Sequence, residues 1–326
     1  MKRRILVTGA NGYIGNALIQ NLLVKHPEYT VCGAARRGRI LKTDVIPTFQ
    51  VGSLEDHPDY SKALRDCDTV VHCAMLVSPR KDSGWIDQSA YHRANVLGLS
   101  HLVRQASLSG VKRFIFVSSI HANGEVTPPG KKFFADSAER PKMAFGLSML
   151  NAERELRKIC QELNMEYTII RVPTVYGPEC KGFCGVIKTM VRYCMPLPLG
   201  WAKDNRRSLI AIQNLTDFLI SCIEKKEAAN ELFLVADSEE LSTVDIFKIF
   251  AKTSNRPYCL WGFPTILLKL FNSYIGRQAW EDFFFESLVV DISKNKLVLG
   301  WTPPLGSEEA FRLAWGHRKV LGEESK

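Results

Sequence analysis

The clearest chemical signal lies close to the amino terminus. Glycines stand at every third position, at Gly9, Gly12 and Gly15, directly after the apolar residues 5–7. Residues 18–23 then carry apolar side chains at helical spacing. A strand, a glycine turn and a helix in this order bring backbone N–H groups and the positive end of a helix to a pyrophosphate. The stretch therefore predicts a dinucleotide-binding site.

Each glycine of this turn has its own physical reason. Gly9 permits a tight turn, Gly12 lets the backbone approach the pyrophosphate closely, and Gly15 lets the helix pack against the strand. The remaining residues of the turn belong to the same predicted site: Asn11, Tyr13 and Ile14.

The residues at the end of the second strand indicate whether NAD(H) or NADP(H) is bound. A carboxylate there hydrogen-bonds a ribose 2′-hydroxyl, whereas an arginine accommodates a 2′-phosphate. The chain has Arg36 and Arg37 and no acid at this point, which favours NADP(H) over NAD(H). The alternative is that both arginines begin an exposed loop and NAD is held by other contacts. Residues after the next two strands are expected to border the adenine and ribose: Ser53, Leu54, Cys73, Ala74 and Met75.

The elements that position these residues alternate between strand and helix. Strands are predicted at 29–35, 48–52, 69–74, 113–118 and 167–171, and long helices at about 86–109 and 144–163. This alternation predicts an α/β fold with a Rossmann-type, doubly wound parallel sheet. The alternation breaks after residue 178. We expect a dinucleotide-binding domain over 1–178 and a smaller mixed C-terminal lobe over 179–326, with some elements interleaved.

Composition narrows the function classes. The net charge of +9 over 326 residues suits an anionic ligand, and because the basic residues are scattered, a nucleic-acid partner is not expected. Nine cysteines without paired metal spacing predict reduced thiols and no metal site. A start directly on a strand predicts no signal peptide, and the longest apolar run, 260–271, is too short for a transmembrane segment. A cytoplasmic protein is expected, with 264–271 as a packing face or, alternatively, a membrane-surface segment.

Five further motifs occur in the order and at the spacing found in one protein family: residues 71–74, 95–98, 116–119, 171–178 and 299–303. Together with the glycine turn they resemble the extended short-chain dehydrogenase/reductases, in particular the nucleotide-sugar 4-epimerases and 4-ketoreductases. The resemblance covers nearly the whole chain. It implies a homodimer built from the two long helices and a UDP-linked hexose as the partner of the cofactor. It also places four more residues at the cofactor: Asn95, Val117, Val172 and Pro173.

The resemblance implies hydride transfer between a sugar carbon and the nicotinamide. In that family a tyrosine moves the proton, a lysine four residues later lowers the tyrosine pKa, and a serine hydrogen-bonds the sugar oxygen. Ser119 matches the serine, but Phe145 stands at the tyrosine position and Met149 at the lysine position. The flanking Gly146 and Ser148 still match, and no other Tyr-x-x-x-Lys occurs in the chain.

This pair of residues changes the expected activity. General acid–base catalysis contributes about 10²–10⁴-fold, so turnover should be impaired while ligands still bind. Engineered inactivation and natural divergence both explain Phe145 and Met149, and a non-catalytic NADP(H)-binding sensor or regulatory protein is the alternative function. His121, two residues after Ser119, could move the proton instead, although a structural or solvent-facing histidine is the preferred interpretation.

Substrate contacts are expected from the same resemblance. Arg207 aligns with an arginine that binds the sugar-nucleotide pyrophosphate in that family, and its planar donors suit a diphosphate. The alternative is a solvent-facing arginine on a strand edge. Ser119, His121 and Val175 complete the expected substrate site, and residues 181–186 are expected to line it. The implied reaction is redox chemistry at C4 of a UDP-hexose, and the two arginines after the second strand favour a reductase over an epimerase.

Overall fold

A parallel sheet organises the molecule. The computed structural model describes residues 3–36, 46–77, 88–180, 182–194, 202–258 and 284–315. Within these ranges seven strands lie in the order β3-β2-β1-β4-β5-β6-β9, all of them parallel. The strands of this sheet are β1 (Arg4–Thr8), β2 (Thr30–Ala35), β3 (Thr48–Gln50), β4 (Thr69–His72), β5 (Arg113–Ser119), β6 (Glu166–Val172) and β9 (Glu231–Leu234).

The strand order reverses beside β1, because β2 follows it on one side and β4 on the other. The carboxyl ends of β1, β2 and β4 meet at one edge, where Thr8 is in register with Ala34 and His72. Ligands of open α/β sheets bind in the crevice at such a reversal. The predicted doubly wound sheet is confirmed, and the glycine turn lies at its crevice.

Helices cover both faces of the sheet, which explains why its strands are apolar on both sides. All seven residues of β5 are buried. One core contains Phe114 and Phe116 with residues of the helices on that face, and the other contains Ile115 and Val117 with residues of the opposite face. The helices are α1 (Tyr13–Lys25), α2 (Ser61–Leu64), α3 (Gln88–Tyr91), α4 (Gly98–Leu108), α5 (Ala144–Glu162), α6 (Gly182–Arg192), α7 (Ile212–Glu224), α8 (Thr243–Thr253), α9 (Ser293–Leu299) and α10 (Ser307–Trp315).

A second, mixed sheet lies beyond the parallel one. It consists of β7 (Thr174–Tyr176), β8 (Arg207–Ala211) and β10 (Glu240–Leu241), with β8 parallel to β7 and antiparallel to β10. A third apolar cluster, which includes Phe183, Phe250 and Phe311, packs beside it. The predicted smaller mixed lobe is therefore present. The strand β9 also follows residue 178, but it pairs with β6 in the large sheet.

The first long predicted helix is not regular throughout. Its described part begins at Gln88, and a π-helical turn, His92–Leu97, separates α3 from α4; residues 86 and 87 lie outside the described ranges. Such turns bulge one residue out of the helical repeat and are frequent at functional sites. Here the turn carries Asn95.

Two further sequence expectations concern thiols and membranes. The described cysteines are free, and most of them are buried, although Cys194 is exposed. Among the helices of the described ranges, none combines the length and apolarity needed to cross a bilayer. The apolar residues 260–271 lie outside the described part of the chain.

Candidate functional site

The glycine turn forms a cradle that side chains would fill. Gly9 has φ +67°, in the left-handed region, and the Gly12 N–H donates to the Gly9 carbonyl at 2.7 Å. A Cβ on Gly12 would lie 2.9 Å from the Gly9 oxygen, and a Cβ on Gly15 would press on the same atom. Gly12 is also the N-cap of α1 and supplies no side-chain cap, so N–H groups of the first turn remain available for an anion. The cradle fits a pyrophosphate.

A cavity of about 280 Å³ opens in front of this cradle. It brings together most of the predicted cofactor residues: Gly9, Asn11, Gly12, Arg36, Ser53, Leu54, Cys73, Ala74 and Met75. The sequence interpretation missed Glu55 and Tyr60, which also line it. Glu55 follows the third strand, so an acidic residue lines the region where Arg36 and Arg37 were predicted, and its carboxylate lies 3.7 Å from Arg93 Nε.

The remaining predicted cofactor residues occupy other places. Arg37 lies outside the described residues, whereas Ile14 and Gly15 lie in the first turn of α1. The buried hydroxyl of Tyr13 lies close to Gly177, because a Cβ on that glycine would lie 2.5 Å from the Tyr13 hydroxyl oxygen. The others are buried: Asn95 behind the cavity, Val117 in β5, Val172 at the end of β6 and Pro173 directly after it.

Asn95 connects the cavity wall to the helix that carries Phe145. Its side-chain oxygen accepts a hydrogen bond from the Leu76 N–H at 2.7 Å, and its amide nitrogen donates to the Leu76 carbonyl at 3.0 Å. The same nitrogen donates to the Ser148 hydroxyl at 3.1 Å. Leu76 lines the cavity, so a buried amide in the π-helical turn fixes α5 against the predicted cofactor site.

Phe145 and Met149 lie one turn apart on α5. The Phe145 ring is half-buried and contacts the ring of Tyr91 at 5.9 Å and that of His121 at 6.0 Å between centroids. Met149 is fully buried in the core. Ser119, at the end of β5, has its Oγ 3.0 Å from His121 Nδ1. The structure therefore brings Ser119, His121 and Phe145 together.

The charges around His121 come from two other elements. Burial lowers the pKa of His121, the Glu125 carboxylate works in the opposite direction, and the Arg207 guanidinium lowers it further. Arg207 is 7% exposed on β8, and its guanidinium lies over the Phe183 ring at 4.8 Å. The predicted diphosphate arginine thus shares the electrostatic environment of the Ser119 region, while Val175 is half-buried on the neighbouring β7.

A buried ionic network lies beneath Ser119. Arg171 and Glu153 are fully buried, and Arg171 Nη2 lies 2.6 Å from Glu153 Oε2. Glu153 Oε1 also accepts from the Ser118 hydroxyl at 2.6 Å, and Arg171 donates to Glu139 and to the Asn123 side chain. This network joins β5, β6 and α5. The sequence interpretation did not identify it, although an arginine within an apolar strand was its signal.

Comparison with known proteins identifies related chains and structures. The NAD dependent epimerase/dehydratase family matches residues 5–236. The chain is 36% identical over 312 residues to a UDP-glucose 4-epimerase from Vibrio cholerae, covering 96% of this chain and 94% of the relative. It is 22% identical over 319 residues to a dTDP-4-dehydro-6-deoxyglucose reductase from Escherichia coli, with 93% of each chain covered.

Solved structures have the same fold. A UDP-glucuronic acid 4-epimerase from Bacillus cereus, in complex with NAD, superimposes with a TM-score of 0.77 at 22% identity, covering 96% of this chain and 97% of the other. A UDP-glucose 4-epimerase from Thermotoga maritima, solved with UDP-glucose, gives a TM-score of 0.76 at 20% identity with the same coverage.

Proposed function

The chain belongs to the NAD dependent epimerase/dehydratase family, and we propose that it binds a nicotinamide dinucleotide together with a UDP-linked hexose. The observation that carries the proposal is the arrangement of two groups of residues. The glycine cradle opens onto a cavity, and Asn95 joins the wall of that cavity to the helix beside Ser119 and His121. The parent reaction of the site is redox chemistry at C4 of the sugar, as a 4-ketoreductase or a 4-epimerase.

The nicotinamide, when bound, accepts or donates the hydride. The chain's own contribution is to hold the pyrophosphate on the N–H groups of the cradle and to enclose the adenosine half between β2 and β4. We propose NADP(H) as the preferred form, because Arg36 lines the cavity at the end of β2. NAD(H) is the alternative, which Glu55 favours because its carboxylate can accept a hydrogen bond from a 2′-hydroxyl.

On the substrate side, Arg207 supplies the charge for the diphosphate, and its burial against Phe183 holds the guanidinium in place. The Ser119 hydroxyl hydrogen-bonds the reacting sugar oxygen. Arg36 supports the reductase direction, because an epimerase retains its cofactor and has no need of the NADPH pool. The similarity to a UDP-glucose 4-epimerase supports the choice of a nucleotide sugar.

With Phe145 and Met149 in place, we expect the protein to turn over its sugar-nucleotide substrate slowly. Phe145 has no proton to transfer, and Met149 has no charge with which to lower a neighbouring pKa. Since general acid–base catalysis contributes about 10²–10⁴-fold, we expect turnover reduced by that factor with ligand binding retained. Engineered inactivation and natural divergence remain the two origins of this pair.

The double variant Phe145→Tyr/Met149→Lys tests the proposal. We expect turnover of UDP-glucose, UDP-galactose, UDP-GlcNAc or a UDP-4-keto-hexose to rise by about 10²–10⁴-fold, measured by cofactor absorbance and by separation of the sugar nucleotides. Met149 is fully buried, so an ammonium there requires bound cofactor as its partner. Phe145→Tyr alone is the accompanying variant, because the half-buried ring accommodates a hydroxyl without burying a charge.

The alternative function is a non-catalytic NADP(H)-binding sensor or regulatory protein. Phe145 and Met149 favour it, because they remove the proton relay and leave the cavity intact. Tight NADP(H) binding without turnover in either variant would support this alternative. Absence of binding by all four forms, NAD, NADH, NADP and NADPH, would contradict both functions.

We further propose a homodimer formed through α4 and α5. These helices pack on each other, and Leu108 and Leu147 are exposed on them, at 86% and 44%. Single exposed apolar side chains are common on protein surfaces, so the support for this interface is the resemblance to the extended short-chain dehydrogenase/reductases. Light scattering after size exclusion should give about twice the 36.8 kDa of the chain, and Leu108→Glu with Leu147→Glu should shift it to the monomer.

A further inference from the structure

We propose that His121 takes over the proton transfer that Phe145 cannot perform, acting through the hydroxyl of Ser119. The inference rests on the proposed function, since it assigns a role within the same redox site. His121 does not contact the sugar in this account. Ser119 contacts the reacting oxygen, and His121 receives and returns the proton behind it.

The hydrogen bonds of Ser119 set the direction of the relay. Its Oγ accepts a hydrogen bond from the His121 backbone N–H at 3.3 Å. The Oγ also lies 3.0 Å from His121 Nδ1, which is within hydrogen-bonding range for a hydroxyl donor. With one lone pair of Oγ engaged by the backbone, its hydroxyl proton can be donated to Nδ1 while the other lone pair faces the sugar.

Packing fixes His121 at the altered helix. Its ring meets the Phe145 ring edge-on, with 6.0 Å between the centroids. The backbone at His121 is in close contact with α5, because a Cβ on Gly146 would press on the His121 carbonyl oxygen. His121 is therefore held between Ser119 and the residue that replaces the tyrosine.

The surroundings keep the imidazole ready to accept a proton. Burial is the main cause of the lowered pKa of His121, and Arg207 on β8 adds to it. Glu125, on the loop after β5, works in the opposite direction. Phe145 and Ser119 are uncharged. The lowered pKa of His121 favours the neutral imidazole, in which either Nδ1 or Nε2 carries the proton, and the relay requires the tautomer with the proton on Nε2.

The step balances in both directions. During oxidation of the sugar alcohol, its hydroxyl proton passes to Ser119 Oγ, the Ser119 proton passes to His121 Nδ1, and the hydrogen on C4 leaves as a hydride to the nicotinamide. The alcohol becomes a ketone, and the imidazole becomes an imidazolium. Reduction of the ketone reverses each transfer, and the proton returns to the sugar oxygen.

His121→Asn is the decisive variant, because an asparagine side-chain oxygen can replace Nδ1 as a hydrogen-bond acceptor but cannot take up a proton. We expect residual kcat to fall about a hundredfold, at the low end of the usual range for acid–base groups, with cofactor and UDP-sugar affinity retained. In the Phe145→Tyr/Met149→Lys background, the same change should lower kcat less than about tenfold. His26→Asn, at the opposite end of α1 from the glycine turn, is the matched control and should leave kcat unchanged.

Two further readouts separate a relay from a structural role. Residual kcat should decline as the pH falls through the lowered pKa of His121, and this decline should be absent from the residual rate of His121→Asn. In protein with ¹⁵N-labelled histidine, the His121 resonance, identified by its loss in His121→Asn, should show the tautomer with the proton on Nε2 and an unprotonated Nδ1. A proton on Nδ1 would overturn the proposal.

The remaining outcomes are equally decisive. Equal losses from His121→Asn in both backgrounds would show a structural histidine and overturn the relay. Turnover in the Phe145→Tyr/Met149→Lys protein with none in the parent would also overturn it. If both proteins bind cofactor but neither turns over any of the UDP-sugars, the proposed function is wrong. The tautomer of His121 then decides by itself whether Ser119 donates its hydroxyl proton to Nδ1.

Discussion

Replacing Glu153 with glutamine should destabilise the fold far more than the loss of one charge at the surface would. Glu153 and Arg171 are both fully buried, and Arg171 donates to both carboxylate oxygens, at 3.0 Å to Oε1 and 2.6 Å to Oε2. Oε1 also accepts from Ser118 at 2.6 Å. A glutamine offers one acceptor, so in either orientation its NH₂ group must face a donor.

The magnitude follows from burial. Removing one member of a buried ion pair costs about 3–5 kcal/mol, because the remaining charge is left uncompensated. Arg171 retains Glu139, whose side chain is 23% exposed, so we expect about 3 kcal/mol, at the lower end of that range. The matched control is Glu166→Gln, which breaks an ion pair of 2.7 Å with Arg113. Glu166 is 46% exposed, and for such a pair we expect a cost of at most about 1 kcal/mol.

Urea unfolding followed by circular dichroism measures both variants, with the free energy extrapolated to water and the slope compared with the parent. Glu153→Gln should lower the midpoint strongly, and Glu166→Gln should lower it slightly. If the two variants lie within about 1 kcal/mol of each other, close to the uncertainty of the extrapolation, the claim that the buried network holds α5 against β5 and β6 is refuted.

Further predictions concern the cofactor site and the response to pH. Gly12→Ala should weaken nucleotide binding at least about tenfold, since its Cβ would lie 2.9 Å from a backbone oxygen. Gly306→Ala, with open space around its Cβ, should leave binding unchanged. Fluorescence titration with NADPH measures the Kd of both variants. Arg36→Ala should raise the Kd for NADPH relative to that for NADH, and an unchanged ratio would remove the support for NADP(H). Burial lowers the pKa of His72 to about 3 from 6.5, so the free energy of unfolding should fall as the pH drops from 6.5 towards 3, and less steeply in His72→Gln.

The parallel sheet could be predicted because its signals are local. The apolar strands, the glycine turn and the helical spacing of 144–163 each depend on residues close together in the chain, and the structure places them within about two residues of the expected bounds. The strand β9 was not identified, although β4 is equally short and was predicted, because β9 lies beyond residue 178, where the alternation of strands and helices breaks. Its place beside β6 depends on pairing across 60 residues or more.

The residues of the candidate site also fall into those that local sequence predicts and those that depend on contacts between distant elements. Residues that follow strands, such as Ser53 and Cys73, were predicted to lie at the cofactor, and they line the cavity. Contacts between distant elements were not predictable. Asn95 reaches Ser148 across 53 positions, and Glu55 enters the cavity only because a short 3₁₀ turn follows β3. The contact of Ser119 with His121 spans two residues, but it depends on the chain turning sharply at the end of β5.

The position of β9 has a consequence for any attempt to cut the molecule in two. A polypeptide ending at residue 178 would lack the strand that covers β6, and the backbone of β6 would become an open edge able to pair with another chain. Such a fragment would tend to aggregate even with its glycine turn intact. We therefore propose that 1–178 and 179–326 differ in the ligands they contact but fold as one cooperative unit.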